Sequence, residues 1–183
     1  MSKGKILVIS GPSGAGKGTV VNRLLEIDNS VCLSISATTR NKREGEEHGV
    51  HYFYITKEDF LSKIEKGELL EYNCYNGNYY GTLKSYVDSL IESGKNVILE
   101  IDINGGFQIK EKCPEAVLIF LTAPSLEEIE RRLRKRNTET DEVIAKRLEI
   151  AKAEIERSKE YDFVVYNEDI DKCAHNIIEI INM

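Results

Sequence analysis

Cysteine and histidine are scarce and scattered. The four cysteines, Cys32, Cys74, Cys113 and Cys173, lie far apart with no C-x-x-C pair, and only three histidines accompany them. Neither a zinc site nor a disulfide framework is built that way. The pattern is that of reduced thiols in a cytoplasmic protein, each a small apolar residue packed inside. No apolar run approaches membrane-spanning length, and no signal peptide is read ahead of the first strand. An excess of positive charge is missing too: the formal net charge of −6 argues against a general nucleic-acid binder. Repeats, linkers and low-complexity segments are equally absent. Basic clusters nevertheless survive inside the acidic chain, which points to small anionic ligands. With 183 residues and 41% apolar content, the chain can bury one real core carrying small insertions.

What is present begins with Gly11-Pro12-Ser13-Gly14-Ala15-Gly16-Lys17, directly after the apolar run Ile6-Leu7-Val8-Ile9. A glycine, four residues, then Gly-Lys is the spacing of a phosphate-binding loop. The glycines let the backbone approach an oligophosphate with its own N–H groups. Lys17 adds a mobile point charge, and the following helix turns its positive end toward the anion. The Ser/Thr that usually follows the lysine is Gly18 here, with Thr19 one place later. A magnesium ion is therefore expected to be held largely through phosphate and water.

Apolar strands are predicted over 5–10, 31–36, 97–102, 116–122 and 163–166, and helices over 17–28, 83–93, 105–112, 142–159 and 169–181. Ser125 with Glu128 makes a capping box for a helix to 136. Strands alternating with helices imply an α/β fold, a parallel sheet covered on both faces, with ligands beyond the carboxyl ends of its strands. Ser10, Ser36, Asp102 and Asn167 fall at or near such ends and should share a cleft. Residues 37–81 differ in character: strands over 50–55 and 69–75, a helix over 57–66 and turn chemistry at Asn76-Gly77-Asn78 mark an inserted subdomain.

Three constellations carry chemistry. Arg40 and Arg43, among Tyr52, Tyr79 and Tyr80, can clamp a second anion, since a guanidinium fork matches phosphate oxygens. Glu71 lies in the apolar stretch Leu69-Leu70-Glu71-Tyr72, where alternation alone would let it face water. Facing a cleft instead, its carboxylate could accept two parallel hydrogen bonds, and guanine offers adjacent N–H and NH2 donors where adenine does not. Finally Arg131, Arg132, Arg134, Lys135 and Arg136, with Arg147 beyond a polar break, form an arginine-rich helical hairpin suited to a lid. Most of these cations are expected on a solvated face.

With those residues set out, the sequence resembles the guanylate kinases, phosphate-loop nucleoside monophosphate kinases acting on GMP. The resemblance runs nearly end to end and is most specific in Ser36-Ala37-Thr38-Thr39-Arg40, Asn78-Tyr79-Tyr80-Gly81-Thr82 and Glu100-Ile101-Asp102. It implies ATP-dependent phosphorylation of GMP with Mg2+, with ATP and GMP as small-molecule substrates, no nucleic-acid or membrane partner, and the oligomeric state left open. It implies guanine contacts from Ser36, Glu71, Thr82 and Asp102, and GMP phosphate contacts from Arg40, Arg43, Tyr52 and Tyr80. ATP would lie on Gly11, Pro12, Ser13, Gly14, Ala15, Gly16, Lys17, Gly18 and Thr19, with Asn167 at its base and Lys17, Arg136 and Arg147 acting in catalysis. Arg147 would also reach GMP. The implied organisation is a core of residues 1–36, 82–126 and 152–183, a GMP-binding insertion at 37–81 and a lid at 127–151. Two alternatives stand beside it: a kinase for another base, against which Ser36, Glu71 and Asp102 speak, and a non-enzymatic binding module, against which the intact loop speaks. No residue is singled out for the ribose 2′-hydroxyl.

Overall fold

The computed structural model describes residues 3–135 and 140–183. In chain order its elements are β1 (Ile6–Ser10), α1 (Lys17–Ile27), β2 (Val31–Leu33), β3 (Ala37–Thr38), β4 (Phe53–Tyr54), α2 (Lys57–Glu65), β5 (Leu69–Tyr75), β6 (Asn78–Leu83) and α3 (Lys84–Glu92). They continue with β7 (Asn96–Glu100), α4 (Ile103–Lys112), β8 (Val117–Thr122), α5 (Leu126–Lys135), α6 (Asp141–Arg157), a short 3-10 turn (Ser158–Glu160), β9 (Phe163–Tyr166) and α7 (Ile170–Ile181).

The larger sheet is parallel throughout, in the order β2-β7-β1-β8-β9. Its strands read as continuous apolar runs because successive side chains enter two different cores. Leu7, Ile9, Ile98, Ile119 and Leu121 pack on one face against Val20, Val21 and Leu24 of α1 and Ala174 and Ile177 of α7. Ile6, Val8, Val97, Leu99, Leu118 and Phe120 pack on the other against Val87 and Ile91 of α3 and Ile103 and Ile109 of α4. The connection after β1 runs to one side of the sheet and that after β7 to the other, which opens a crevice at their carboxyl ends.

The smaller sheet has the order β4-β3-β6-β5 and closes over Phe60 of α2, which stacks on Tyr79. Its hairpin turns on Asn76 and Gly77 alone, with φ of 47° and 77°, as a two-residue primed turn requires. Asn78 already pairs with Tyr75 as a strand residue. Two predicted strands are corrected here. The run over 31–36 is interrupted: β2 joins the large sheet and β3 the small one, so the chain crosses between sheets at Ser34 to Ser36. The strand over 50–55 shrinks to Phe53 and Tyr54, because His48 and Gly49 fold back on residues 52 to 54. The helix expected from Gly105 begins at Ile103, capped by the Asp102 carboxylate, which accepts from Gly105 N at 2.9 Å. Ser125 Oγ accepts from Glu128 N at 3.2 Å, but the return arm of the capping box is missing, since the Glu128 carboxylate takes Arg131 and Arg132 instead.

Helix α4 lies so close to the chain before β9 that Gly106 admits no side chain: a Cβ there would stand 2.1 Å from the Tyr161 hydroxyl. Tyr161 is buried and wedged edge-on between Phe107 and Phe120, so it cannot give way. Helix propensity alone would favour Gly106→Ala by about 1 kcal/mol. The overpacking opposes it, and a net loss of about 1–2 kcal/mol in denaturant unfolding is expected. Tyr161→Phe should cost less in the Gly106→Ala background than in the parent, because the hydroxyl is the first atom the new methyl meets. A Gly106→Ala protein as stable as its parent would contradict this packing.

Candidate functional site

The loop between β1 and α1 is shaped by two glycines with special demands. Gly11 has φ of 151°, and a side chain there would meet the Leu121 carbonyl oxygen at 1.9 Å. Gly16 caps α1 in the left-handed region with no side-chain capping bond, and α1 has no acidic residue in its first turn. The first amides of the helix are thus left for an anion. Lys17 Nζ donates to the Gly11 and Pro12 carbonyls of its own loop. Arg147 of α6 donates to Ser13 Oγ at 2.9 Å, bringing the second arm of the helical hairpin onto the loop.

Behind the loop, Arg132 donates to the Ala15 carbonyl at 3.1 Å and the Asn167 carbonyl at 2.8 Å, while Glu128 holds its Nε. Asn167 is buried, and its side-chain amide donates to the same Ala15 carbonyl at 2.9 Å. These residues, with Gly14, Gly16 and Thr19, border a hollow of about 710 Å³. Asn167 borders this hollow, whereas Ser36 and Asp102 border another, and a smaller hollow along the phosphate loop shares residues with both. Ser10 is buried and donates to the Asp102 carbonyl at 3.2 Å.

In front of the loop lies a cavity of about 410 Å³ bordered by Gly11, Lys17, Ser34, Ser36, Tyr52, Glu100 and Asp102. Ser34 Oγ is buried in its wall without a hydrogen-bond partner among the described residues. Glu100 opens to the cavity, and desolvation by its walls raises its carboxyl above the usual range, with Lys17 opposing.

Glu71 does not border that cavity; it is buried close by, near Asp102, and is the most constrained of the candidate groups. The pairing of β5 with β6 shifts between Leu69 and Glu71, so Leu70 is an extra residue and Glu71 stands opposite Thr82. A bulge of this kind re-aims a side chain. Leu69, Leu70 and Glu71 are consequently all buried, Leu69 in the small core and Leu70 in the large one. The Glu71 residue is 5% exposed, and its Oε1 accepts from Thr82 Oγ1 at 2.6 Å. Its other oxygen sits where a side chain on Gly105 would be, 2.8 Å from the position of that missing Cβ. Burial pushes its carboxyl up to about 7; nearby Asp102 adds to the rise and the Thr82 hydrogen bond opposes it. Asp102 caps α4 and accepts from Asn73 Nδ2 at 2.7 Å, and Gln108 of α4 bonds both backbone groups of Tyr72. Helix and strand are thereby locked around the carboxylate.

Arg40 meets Glu46 through two hydrogen bonds of 2.8 and 3.0 Å. Its guanidinium lies over the Tyr52 and Tyr54 rings, 5.5 and 5.9 Å from their centroids, and Tyr80 packs edge-on against Tyr52. Arg43 is exposed, with its backbone N–H donating to Glu46 at 2.8 Å. Arg136 lies outside the described residues, as do Asn137, Thr138 and Glu139 of the polar break. Two residues here, Ser34 and Glu46, were not singled out by sequence, and Arg132 was named there only as one of the lid's basic cluster. Glu46 had a usable signal, a carboxylate six residues after an arginine in a loop too polar to form a core. Arg132 had another, an i,i+4 partner in Glu128 that turns it to the loop side of α5.

The raised Glu71 carboxyl has a consequence for stability. Its folded value, about 7, lies above the ordinary 4.5. The folded state then holds the extra proton, and stability falls as pH rises from the lower value through the higher one. Glu71→Gln removes the buried charge and should stabilise the protein by about 2–3 kcal/mol at pH 8 but hardly at all at pH 4.5. Urea midpoints of both proteins across that range test it; a difference independent of pH would contradict it.

Comparison with known proteins agrees with this geometry. The family model described as guanylate kinase matches residues 3–183. A guanylate kinase of Clostridioides difficile is 50% identical over 182 residues, covering 100% of this chain and 89% of that protein. One from Halalkalibacterium halodurans is 49% identical, covering 98% and 88% respectively. The crystal structure of the guanylate kinase from Anaplasma phagocytophilum superposes with a TM-score of 0.76 at 36% identity, over 99% of this chain and 86% of that one. Matched from its third residue to its last in sequence, and nearly throughout in structure, the chain belongs to the guanylate kinase family.

Proposed function

We propose that this protein transfers the γ-phosphoryl group of ATP to the phosphate of GMP, giving ADP and GDP. The observation that carries the reading is Glu71, a carboxylate buried beside Thr82 and near Asp102, whose roughly four lone-pair sites exceed what the Thr82 donors fill among the described residues. The guanine edge supplies an adjacent N–H and NH2, the donors such a group lacks. Adenine would leave it desolvated and unpaired, at a cost of about 1–3 kcal/mol. Ser36, Thr82 and Asp102 complete the guanine pocket in this reading, and Arg40, Arg43, Tyr52 and Tyr80 hold the GMP phosphate. The ribose 2′-hydroxyl meets no reader that we identify, so dGMP should also serve.

ATP lies along residues 11–19, its phosphates on the loop amides and Lys17. Asn167 serves the base end partly by holding the Ala15 carbonyl. Transfer is in line: an oxygen of the GMP phosphate bonds to the γ-phosphorus as the bond to the ADP oxygen breaks. No strong general base is needed, because the acceptor is already an anion. Lys17 leaves the loop carbonyls for the phosphate oxygens, and Arg147, with Arg136, approaches as residues 127–151 close. Residues 37–81 close from the other side, so that water is excluded. Magnesium fits the donors present: Thr19 and Glu100 border the same hollow beside the loop, and among the described residues no group of three or more candidate ligands makes an all-protein cage. Glu100 and Thr19 would hold it mainly through water, as suits a hard cation that dehydrates reluctantly, and it would supply charge neutralisation on the phosphates. Four unpaired cysteines suit a reducing, cytosolic setting.

Initial rates with GMP, AMP, UMP and dTMP measured side by side test the reading, and GMP should be preferred by orders of magnitude. Glu71→Gln turns one acceptor into a donor facing a donor without opening a cavity. It should lower GMP kcat/KM by roughly a hundredfold while ATP binding changes little. AMP outpacing GMP, or a loss below about twofold in the variant, would overturn it. Lys17→Ala should fold normally and lower kcat by about a hundredfold or more, since its cation acts as charge develops. Near-normal turnover by the folded variant would remove the loop from catalysis.

A further inference from the structure

Arg40 is not a free cation awaiting a phosphate. Its side chain and that of Glu46 are only 14% and 18% exposed, and the two form a bidentate ion pair. A third Arg40 proton goes from Nη1 to the Asn41 carbonyl at 2.8 Å. A guanidinium has five N–H donors. Glu46 and Asn41 take three, leaving the Nε–H and the outer Nη2–H. Covalent geometry makes those two a parallel pair along one edge, the fork that matches two phosphate oxygens.

Glu46 is itself held from two further sides. Its Oε2 accepts from the Tyr54 hydroxyl at 2.8 Å and from Arg43 N at 2.8 Å. The Glu46 carboxyl is held down at about 2, chiefly by the Arg40 hydrogen bonds and then by the Arg43 amide, so it stays charged wherever the enzyme works. The loop from Arg40 to Glu46 is thus tied at both ends to one carboxylate, with the Tyr52 and Tyr54 rings fixing the guanidinium plane.

We infer that Glu46 is a positioning residue for the acceptor phosphate: it occupies the far edge of Arg40, so that the near edge is presented ready-made. This rests on Arg40 binding the GMP phosphate. An exposed arginine would lose side-chain freedom on binding, whereas this one has lost it on folding. Glu46 also offsets one of the two arginine charges in the loop, so the subsite keeps one uncompensated cation for a dianion.

Steady-state kinetics on the full chain, with GMP varied at saturating ATP, test this in parent, Arg40→Lys, Glu46→Gln, Glu46→Asp and the double variant Arg40→Lys/Glu46→Gln. Glu46→Gln should raise GMP KM by about tenfold or more, with kcat and the ATP KM changed by less than about threefold. Glu46→Asp should recover part of the loss, since the charge returns with a shorter reach. In the Arg40→Lys background, Glu46→Gln should add less than about twofold, because the group it positions is gone. If Glu46→Gln does not fold, Tyr54→Phe, which removes one support of the carboxylate, should still raise GMP KM by about two- to fivefold. A GMP KM in Glu46→Gln equal to or below that of the parent, or an equal penalty in both backgrounds, would overturn the inference. An unchanged KM in Arg40→Lys would instead show that Arg40 does not hold the phosphate, which overturns the underlying reading as well.

Discussion

A carboxylate that folding takes out of water before its partner arrives is the constraint around which this protein is arranged. Glu71 is buried, with the Thr82 hydroxyl and backbone donating to it and with Asp102 nearby raising its proton affinity further. Left to itself a strand would turn such a residue outward. The extra residue at Leu70 prevents this, because Leu70 must enter the large core and its neighbour then faces Thr82. Gly105 supplies the space, and Gln108 pins α4 to the Tyr72 backbone so that the space persists. In the proposed function, stability is given up for a group that the ligand's donors then satisfy. Such conflicts between local preference and global fold are expected where a site must discriminate.

The cations follow the opposite logic. Lys17 rests on loop carbonyls, Arg132 on the Ala15 and Asn167 carbonyls, Arg147 on Ser13 and Arg40 on Glu46. Each is oriented by a neutral dipole or a carboxylate before any phosphate is bound. At Lys17 and Arg147 a bound phosphate would replace a neutral acceptor with a charged one, whereas Arg40 keeps Glu46 and offers its other edge; in both cases little side-chain ordering remains to be done. In the proposed function the base is read by a buried acceptor, and the phosphates are met by donors already placed. At the carboxyl ends of β1 and β7, Gly11, Lys17, Glu100 and Asp102 border the crevice that the parallel sheet leaves.

The parts legible in the sequence are those dictated by local physics. Continuous apolar runs marked β1, β7 and β8 because both sheet faces are covered, and Asn76-Gly77 marked its hairpin because few other pairs tolerate two positive φ values. The glycine loop was legible for the same reason. Misread regions depend on tertiary context. Residues 31–36 alternate smoothly, yet the chain changes sheets within them, and residues 50–55 alternate although only two of them pair. The bulge at Leu70 leaves no local signature, so alternation alone could not place Glu71 inside. Glu46 and Arg132 act by bonding to residues six and thirty-five positions away, so their weak sequence signals, an arginine six residues earlier and an i,i+4 carboxylate, do not by themselves mark chemistry.

In the proposed function Glu71 is a buried carboxylate held for the guanine edge. Its own titration reports this most directly. In protein labelled with carbon-13 at the glutamate carboxyls, the Glu71 signal is the one lost in Glu71→Gln, and it can be followed against pH with and without saturating GMP. The account predicts a midpoint near 7 in the free protein and a fall of one pH unit or more, roughly, once guanine donates to the ionised group. A midpoint near the ordinary glutamate value of about 4.3, unmoved by GMP, would contradict it.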